Sequence, residues 1–287
     1  MKSVVSVSHS EIPEIGLKGA LDNISHLEDI FKGKHVAIKP NETWASAQDL
    51  TACTQSDTLK AVIGYVKQFK PKKITVTGGS GGAKTEQIFS LLGFNHVIEK
   101  EGVEFFDHNK PPFEKVALEY GPTQEIVVNP HIFSFDTIVS LAQLKVHAKA
   151  EVTLTMKNIA MSFPCADYYG YPRYTYKHSH QIFFSDLHGF IASMCHRFPI
   201  HLGIIAGHPA MVGTGPIGGK TFESGLYLAS RDYVSVDSIG AQILGKPNVS
   251  HIMLAQEYGD GISDPEDIEI RGMGLEQAID SFAGDQI

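Results

Sequence analysis

Apolar residues in the first part of the chain fall into short runs and helical spacings that alternate along the sequence. The runs HVAIKP (35–40) and KITVTGG (73–79) predict two buried strands. Between them, the segment 56–70 repeats apolar residues every three or four positions, which predicts a helix with Ser56 as its N-cap. A second helix, TEQIFSLLGF, should end at Gly93, because glycine readily takes the left-handed conformation that closes a helix.

The rest of the chain repeats this alternation. Further strands are predicted at EFF, EIVV, TIVSLAQL (137–144), HLGIIAG (201–207), GLYLAS (225–230) and IEIRG. Further helices are predicted over 179–198, 231–245 and 250–259, and a long loop over 160–180. The alternation indicates an α/β fold with a mostly parallel sheet flanked by helices. We expect one α/β unit over 1–287. A division into two lobes, 1–150 and 151–287, with a cleft between them is the alternative.

Charge and hydropathy narrow the class of protein. The 287 residues carry a net charge of −8, which argues against a nucleic-acid or anionic-membrane surface. The sequence contains no apolar run of ~18 residues, so no transmembrane helix is expected. Its first residues do not form the apolar stretch of a signal peptide. The expected location is therefore the cytoplasm.

The cysteines exclude some redox chemistry. Cys53, Cys165 and Cys195 lie far apart, and an odd, sparse set is typical of reduced thiols. No CxxC motif occurs, so we expect no intrinsic iron–sulfur cluster. A cluster of that kind would have to come with a partner protein.

Four segments follow or end predicted strands. In open α/β sheets, ligands bind beyond the carboxyl ends of the strands, so these segments should converge on one cleft. They are KPNETW (39–44), TGGSGGAKTE (77–86), LKVHAK (144–149) and AGHPAMVGTGPIGG (206–219).

Two of these segments are rich in glycine. In TGGSGGAKTE, Gly79 and Gly81 could let backbone N–H groups bind a phosphate or carboxylate. Ala83 stands where a Walker A motif needs glycine, and Lys84 stands where a dinucleotide fingerprint needs one. The alternative is a tight strand-to-helix turn. The segment 208–219 is likewise either a rigid turn or a loop that approaches a ligand closely.

The stretch LKVHAKAEVTLTMKN (144–158) concentrates cations in an acidic protein. Along a strand, Lys145, His147 and Lys149 would share one face and could supply acid–base or oxyanion-stabilising groups. Spacing alone favours a competing interpretation, in which the segment is a solvated edge strand and the aliphatic parts of its lysines lie along the protein surface.

His178 and His180 form an HxH pair, which can bind a divalent metal from an extended segment. The third ligand stays open among His147, His188 and Cys165. Histidines without a metal are the alternative.

Taken together, KPN, LKVHAKAEVTLTMKN, KHSHQIFFSDL, GTGPIGG and LYLASRDYVSVDSIGAQILG resemble, in this order, the domain-of-unknown-function 362 family over residues 33–271. Many members of that family look like fusions to a ferredoxin-type module, which implies anaerobic redox chemistry, but this chain lacks those cysteines. Relatives usually carry Asp-Gly where this chain has Ala206 and Gly207. If that carboxylate is catalytic or a ligand in the relatives, this chain has lost it, unless His208 substitutes for it. The resemblance marks Lys39, Asn41, Lys145, His147, Thr153, Lys157, Asn158, His180, Gly215, Pro216 and Asp237 as the positions to watch.

These patterns predict an enzyme that binds a small anionic substrate or cofactor in the cleft. Lys145, Lys157 and the glycine-rich turn would neutralise its charge, and His147 or His180 would transfer a proton. One alternative is a metal-binding protein that uses His147, His178 and His180. Another is a non-catalytic subunit that assembles with a separate iron–sulfur protein.

Overall fold

A large twisted sheet runs through the computed structural model, which describes residues 2–172 and 183–286. The strands are β1 (Ser3–His9), β2 (His35–Pro40), β3 (Lys73–Gly78), β4 (Glu104–Asp107), β5 (Glu114–Ala117), β6 (Glu125–Val128), β7 (Thr137–His147), β8 (Glu151–Thr153), β9 (Leu202–Val212), β10 (Lys220–Phe222), β11 (Leu226–Ser230) and β12 (Ile268–Gly272). Among the described residues, ten of them form one sheet in the order β12-β1-β11-β9-β7-β2-β3-β4, with β8 paired to β7 and β10 to β9. Strands β5 and β6 form a separate pair.

Most of the long strands are parallel. The run β9-β7-β2-β3-β4 is parallel throughout, as is the pair β1–β12, whereas β11 is antiparallel to both of its neighbours. Strand β7 lies centrally, and its first ten residues are all buried. Such a strand is covered on both faces, which explains its nearly continuous apolar sequence.

Helices cover both faces of the sheet. They are α1 (Pro13–Asp22), α2 (Leu27–Phe31), α3 (Ser56–Lys67), α4 (Thr85–Leu91), α5 (Phe94–Glu101), α6 (Thr155–Ala160), α7 (Ala166–Tyr169), α8 (Leu187–Arg197), α9 (Tyr233–Ile243), α10 (Ser250–Glu257) and α11 (Leu275–Gly284). Alternate residues of β2 enter different cores: Val36 and Ile38 pack with α3, and Ala37 joins the core that contains α9. The predicted α/β class is confirmed. The subdivision into lobes 1–150 and 151–287 stays a prediction.

Several predicted boundaries were wrong. Helix α3 begins at Ser56 itself, and Gln55 holds the cap position without a side-chain hydrogen bond. The first five residues of the predicted loop 208–219 belong to a strand, because β9 continues to Val212 and pairs with β10, whereas 213–219 form the loop between these two strands. In the described part of 179–198, helix α8 begins at Leu187, where the Asp186 side chain accepts a hydrogen bond from the Gly189 N–H. Within the described ranges, no helix combines the length and the apolar content needed to cross a bilayer.

The lysine-rich stretch does not form one extended strand. Strand β7 ends at His147, a turn leads into β8, and α6 then carries Lys157 and Asn158. Helix α6 has six residues and is fixed from its N-terminal end by Asp237 of α9, whose carboxylate accepts hydrogen bonds from Thr155 N, Thr155 Oγ1 and Met156 N at 2.6–2.9 Å. Carboxylates at this position stabilise a helix by satisfying its first N–H groups. Asp237 therefore positions the helix and touches no wall of the cavity described below.

The loop between β9 and β10 lies against the end of β7. The Ala148 N–H donates to the Gly215 carbonyl at 2.8 Å. A Cβ on Gly215 would lie 2.2 Å from the Val146 carbonyl oxygen, so the close approach requires glycine. This contact places the Pro216 carbonyl 3.5 Å from Lys145 Nζ.

We expect Gly215→Ala to lower the free energy of unfolding by about 1–3 kcal/mol, because the new methyl group would force the loop away from β7. Urea denaturation measures the effect. Gly64→Ala is the control: Gly64 lies inside α3 with no atom within 4 Å of the added Cβ, so it should raise stability by about 0.5–1 kcal/mol. A Gly215→Ala protein as stable as the wild type would contradict the close approach.

Candidate functional site

The strands β2, β3 and β7 end around one cavity of about 180 Å³. Its wall combines charged, polar and aromatic residues from the predicted strand exits and from α6. The lining residues are Lys39, Asn41, Glu42, Thr43, Trp44, Ala52, Gly79, Gly81, Gly82, Lys145, His147, Thr153, Lys157, Asn158, Met161, Ser162, Phe183, Phe184, Pro216 and Ile217. The cavity therefore brings together ten of the candidate residues: Lys39, Asn41, Gly79, Gly81, Lys145, His147, Thr153, Lys157, Asn158 and Pro216. Gly215 and Asp237 do not line it, and neither do Lys149, Cys165 and His188.

Lys39 is paired within the wall. Its Nζ forms an ion pair with Glu42, and both side chains are buried. The second carboxylate oxygen of Glu42 accepts a hydrogen bond from the Gly79 N–H at 2.8 Å. The Lys39 charge is thus compensated by the protein itself, and Glu42 is a residue that the sequence interpretation missed although it stands in KPNETW.

Lys145 has a different environment. Its side chain is 1% exposed, and its Nζ donates to the carbonyl oxygens of Ala52 and Pro216. No carboxylate in the described parts of the chain lies within 4 Å of this ammonium group. Burial lowers the pKa of Lys145 to about 8, against the opposing effects of nearby Cys53 and Glu42. Lys145 is therefore a buried cation that, among the described residues, has no carboxylate in direct contact.

The tautomer of His147 follows from its hydrogen bonds. The backbone N–H groups of Lys149 and Ala150 both donate to His147 Nδ1, each at 3.1 Å. Nδ1 therefore carries a lone pair, and the proton of the neutral ring lies on Nε2. Burial, followed by the charges of Lys157 and Lys145, lowers the pKa of His147 to about 2. At neutral pH this residue is an uncharged N–H donor at the cavity wall.

The remaining polar residues divide into wall and exterior. Thr153 is the cross-strand partner of Lys145, so both side chains lie on the same face of the β7–β8 pair. Lys157 and Asn158 reach the wall from α6. Lys149 does not share this face: it lies in the exposed turn, with its Nζ 5.1 Å from the centre of the Phe184 ring. The expectation that Lys149 lies beside Lys145 and His147 was wrong because the strand ends at His147.

The glycine-rich turn packs tightly. A Cβ on Gly79 would lie 1.7 Å from His108 Nε2, and Ser80 Oγ donates to the Thr43 carbonyl. His108 is itself buried and bonded to Thr77 and Ser162. The Gly79 N–H donates its hydrogen bond to Glu42. Close packing against His108 explains why glycine is needed at position 79. An anion-binding role for Gly79 and Gly81 stays a prediction.

The histidines of the predicted metal site, His178 and His180, lie outside the described residues. The catalytic role predicted for His180 therefore stays a prediction. Of the other suggested ligands, His188 Nδ1 lies 3.0 Å from His251 Nδ1, and Cys165 Sγ donates to the His108 carbonyl. Over 2–172 and 183–286, no three His, Cys, Asp or Glu side chains are grouped as a metal site would require. The cysteines Cys53, Cys165 and Cys195 are free and buried.

His208 forms ion pairs with two carboxylates outside the cavity. Its two ring nitrogens form ion pairs with Glu223 and with Asp57, and the hydrogen bond that His208 Nε2 donates to the Asp57 carboxylate is the main reason why the pKa of His208 is raised. Neither His208 nor Ala206 lines the cavity.

The fold places this protein among α/β proteins, with a lysine-lined cavity at the carboxyl ends of the strands. Sequence comparison identifies the family. Residues 36–242 match the family described as Domain of unknown function (DUF362), and the chain belongs to that family. A comparison with curated proteins finds no match.

The fold is similar to that of the lactate racemase apoprotein from Thermoanaerobacterium thermosaccharolyticum, with a TM-score of 0.52 and 12% sequence identity. The likeness covers 86% of this chain and 58% of the racemase chain, so the present chain spans less than two thirds of that protein. At this identity the likeness shows the fold alone.

We expect the His147 imidazole to remain neutral, with its proton on Nε2, from pH 8 down to pH 4. Long-range ¹H–¹⁵N NMR of histidine-labelled protein distinguishes the tautomers, and the spectrum of His147→Asn assigns the resonances. A ring that titrates near pH 6.5, or one that carries its proton on Nδ1, would contradict the hydrogen-bond geometry.

Proposed function

We propose that the protein is an enzyme that binds a small organic carboxylate in this cavity, with Lys145 as the group that compensates the ligand's charge. The observation that carries the proposal is the buried Lys145 ammonium, which has carbonyl partners in place of a carboxylate. Removing an ammonium group from water costs several kcal/mol unless an opposite charge accompanies it. A carboxylate ligand supplies that charge.

The groups around Lys145 favour an enzyme that acts on a bound anion over a protein that only binds the anion. Lys157 adds a second positive charge to the wall, and the Nε2–H of His147 provides a fixed donor. Preorganised donors and cations in an enclosed site stabilise negative charge that develops during a reaction. His147 would act through this hydrogen bond, since its Nδ1 lone pair is already occupied by two backbone N–H groups.

The structural neighbour supports the same ligand class. Its name identifies a lactate racemase, an enzyme whose substrate is a small carboxylate. The cavity at the carboxyl ends of parallel strands also lies where α/β enzymes generally bind their substrates.

Lys145→Met tests the proposal directly. Wild-type protein should bind at least one of propanoate, lactate and 4-methylpentanoate, measured by isothermal titration calorimetry, and the variant should bind it at least tenfold more weakly. The variant should fold: the lowered pKa of Lys145 means that its charge destabilises the folded state at pH 7, and the penalty disappears as pH rises from about 8 to 10.5. Its free energy of unfolding should therefore be unchanged or raised by up to about 3 kcal/mol.

Lys246→Met provides the matched control, because it removes the same charge from an exposed turn. It should bind carboxylates like the wild type. Equal affinities of wild type and Lys145→Met, or no carboxylate binding by the wild type, would refute the proposal.

A further inference from the structure

Asn41 lies in the cavity wall with its backbone firmly held. The residue is 1% exposed, and its N–H donates to the Leu141 carbonyl at 3.0 Å and to Thr54 Oγ1 at 2.9 Å. Its own carbonyl accepts a hydrogen bond from Thr54 N at 2.8 Å. The position of the side-chain amide relative to the cavity is thus fixed by the strand exit of β2.

Asn158 determines which way that amide is turned. The Nδ2 of Asn158 donates to the Lys39 carbonyl at 3.0 Å and to Ser140 Oγ at 3.1 Å, which leaves its Oδ1 facing Lys39 Nζ at 3.3 Å. Asn41 Nδ2 then donates to the same oxygen at 3.4 Å. Turning the Asn41 amide over would bring two oxygens together, so Nδ2 faces Asn158.

This orientation leaves Asn41 Oδ1 without a partner. Among the described residues no donor reaches this buried oxygen, and the same holds for Thr153 Oγ1 on the wall of the same cavity. Buried polar atoms are nearly always hydrogen-bonded, and an unsatisfied one is costly. A ligand that completes this wall must bring a hydrogen-bond donor to Asn41.

Lys145 and His147, on the same cavity wall, require hydrogen-bond acceptors on the ligand. Lys145 has three N–H donors and uses two of them on carbonyl oxygens, and His147 presents its Nε2–H. These donors call for acceptor oxygens. A carboxylate that carries a hydroxyl group satisfies both demands, whereas an ammonium group in the hydroxyl's place would be repelled by Lys145 and Lys157.

Large apolar side chains also line the cavity. They are Trp44, Met161, Phe183, Phe184 and Ile217. A cavity of about 150 Å³ holds a benzene molecule, so the volume of about 180 Å³ accommodates a ligand at least as large as benzene. The wall therefore favours a hydrocarbon side chain on the ligand.

We infer that the ligand is a hydroxycarboxylate with a hydrocarbon side chain, and that Asn41 selects it by accepting a hydrogen bond from the ligand's hydroxyl group. The inference rests on the proposed carboxylate-binding function. It specifies in addition the hydroxyl group and the hydrocarbon side chain of the ligand, and it assigns recognition of the hydroxyl group to Asn41.

A matched set of three ligands tests it: 2-hydroxy-4-methylpentanoate as each enantiomer, 4-methylpentanoate and leucine. These differ at one position, which carries a hydroxyl, a hydrogen or an ammonium group. By isothermal titration calorimetry, one enantiomer of the hydroxy acid should bind about tenfold or more tightly than 4-methylpentanoate, because only the hydroxyl satisfies Asn41 Oδ1. Leucine should bind most weakly.

Asn41→Leu removes the acceptor at similar volume, and Asn248→Leu is the control in an exposed turn. Asn41→Leu should bind the hydroxy acid and 4-methylpentanoate equally, and Asn248→Leu should keep the wild-type preference. Equal binding of both ligands by the wild type overturns the inference and leaves carboxylate binding intact, so the result stands even if Asn41→Leu does not fold. Absence of binding by every ligand overturns the inference together with the proposed function.

Discussion

Burying the ammonium group of Lys145 costs free energy, and the arrangement around it can be understood from that cost. The neighbouring Lys39 shows the usual solution, in which a buried lysine is paired with a carboxylate, here Glu42. Lys145 lies at the same cavity with carbonyl oxygens of Ala52 and Pro216 as its partners. Two buried lysines side by side, with one acidic partner between them, leave a site of net positive charge in a protein whose overall charge is −8.

Elements distant in sequence hold this site in place. Asp237 of α9 fixes the start of α6 and thereby the positions of Lys157 and Asn158. Gly215 lets the β9–β10 loop lie against β7, which brings the Pro216 carbonyl to Lys145. Asn158 in turn orients Asn41. The polar wall therefore depends on contacts between α6, two strand exits and one hairpin loop.

Much of the architecture could be predicted from the sequence, because apolar runs such as HVAIKP and TIVSLAQL match buried strands closely. The position of the site could also be predicted in outline, since strand exits converge in any parallel sheet. The pairing of Lys39 with Glu42 and the tautomer of His147 could not be predicted, because they depend on side-chain distances and on the turn after β7. The same turn removes Lys149 from the wall. The extension of β9 to Val212 escaped prediction because Pro209 and the glycines that follow suggest a loop from His208 onward, whereas residues 210–212 pair with β10.

The most direct test of the central claim is the pKa of Lys145, measured by NMR of ¹⁵N-labelled lysine side chains with Lys145→Met as the assignment reference. The ligand-free protein should show a pKa near 8, because burial without a carboxylate partner disfavours the charged form. Saturation with a bound carboxylate should raise that pKa by about one unit or more, since the anion stabilises the ammonium group. An ordinary pKa near 10.4 in the ligand-free protein, or a value that a bound carboxylate leaves unchanged, would contradict the assignment of Lys145 as the anion-binding group.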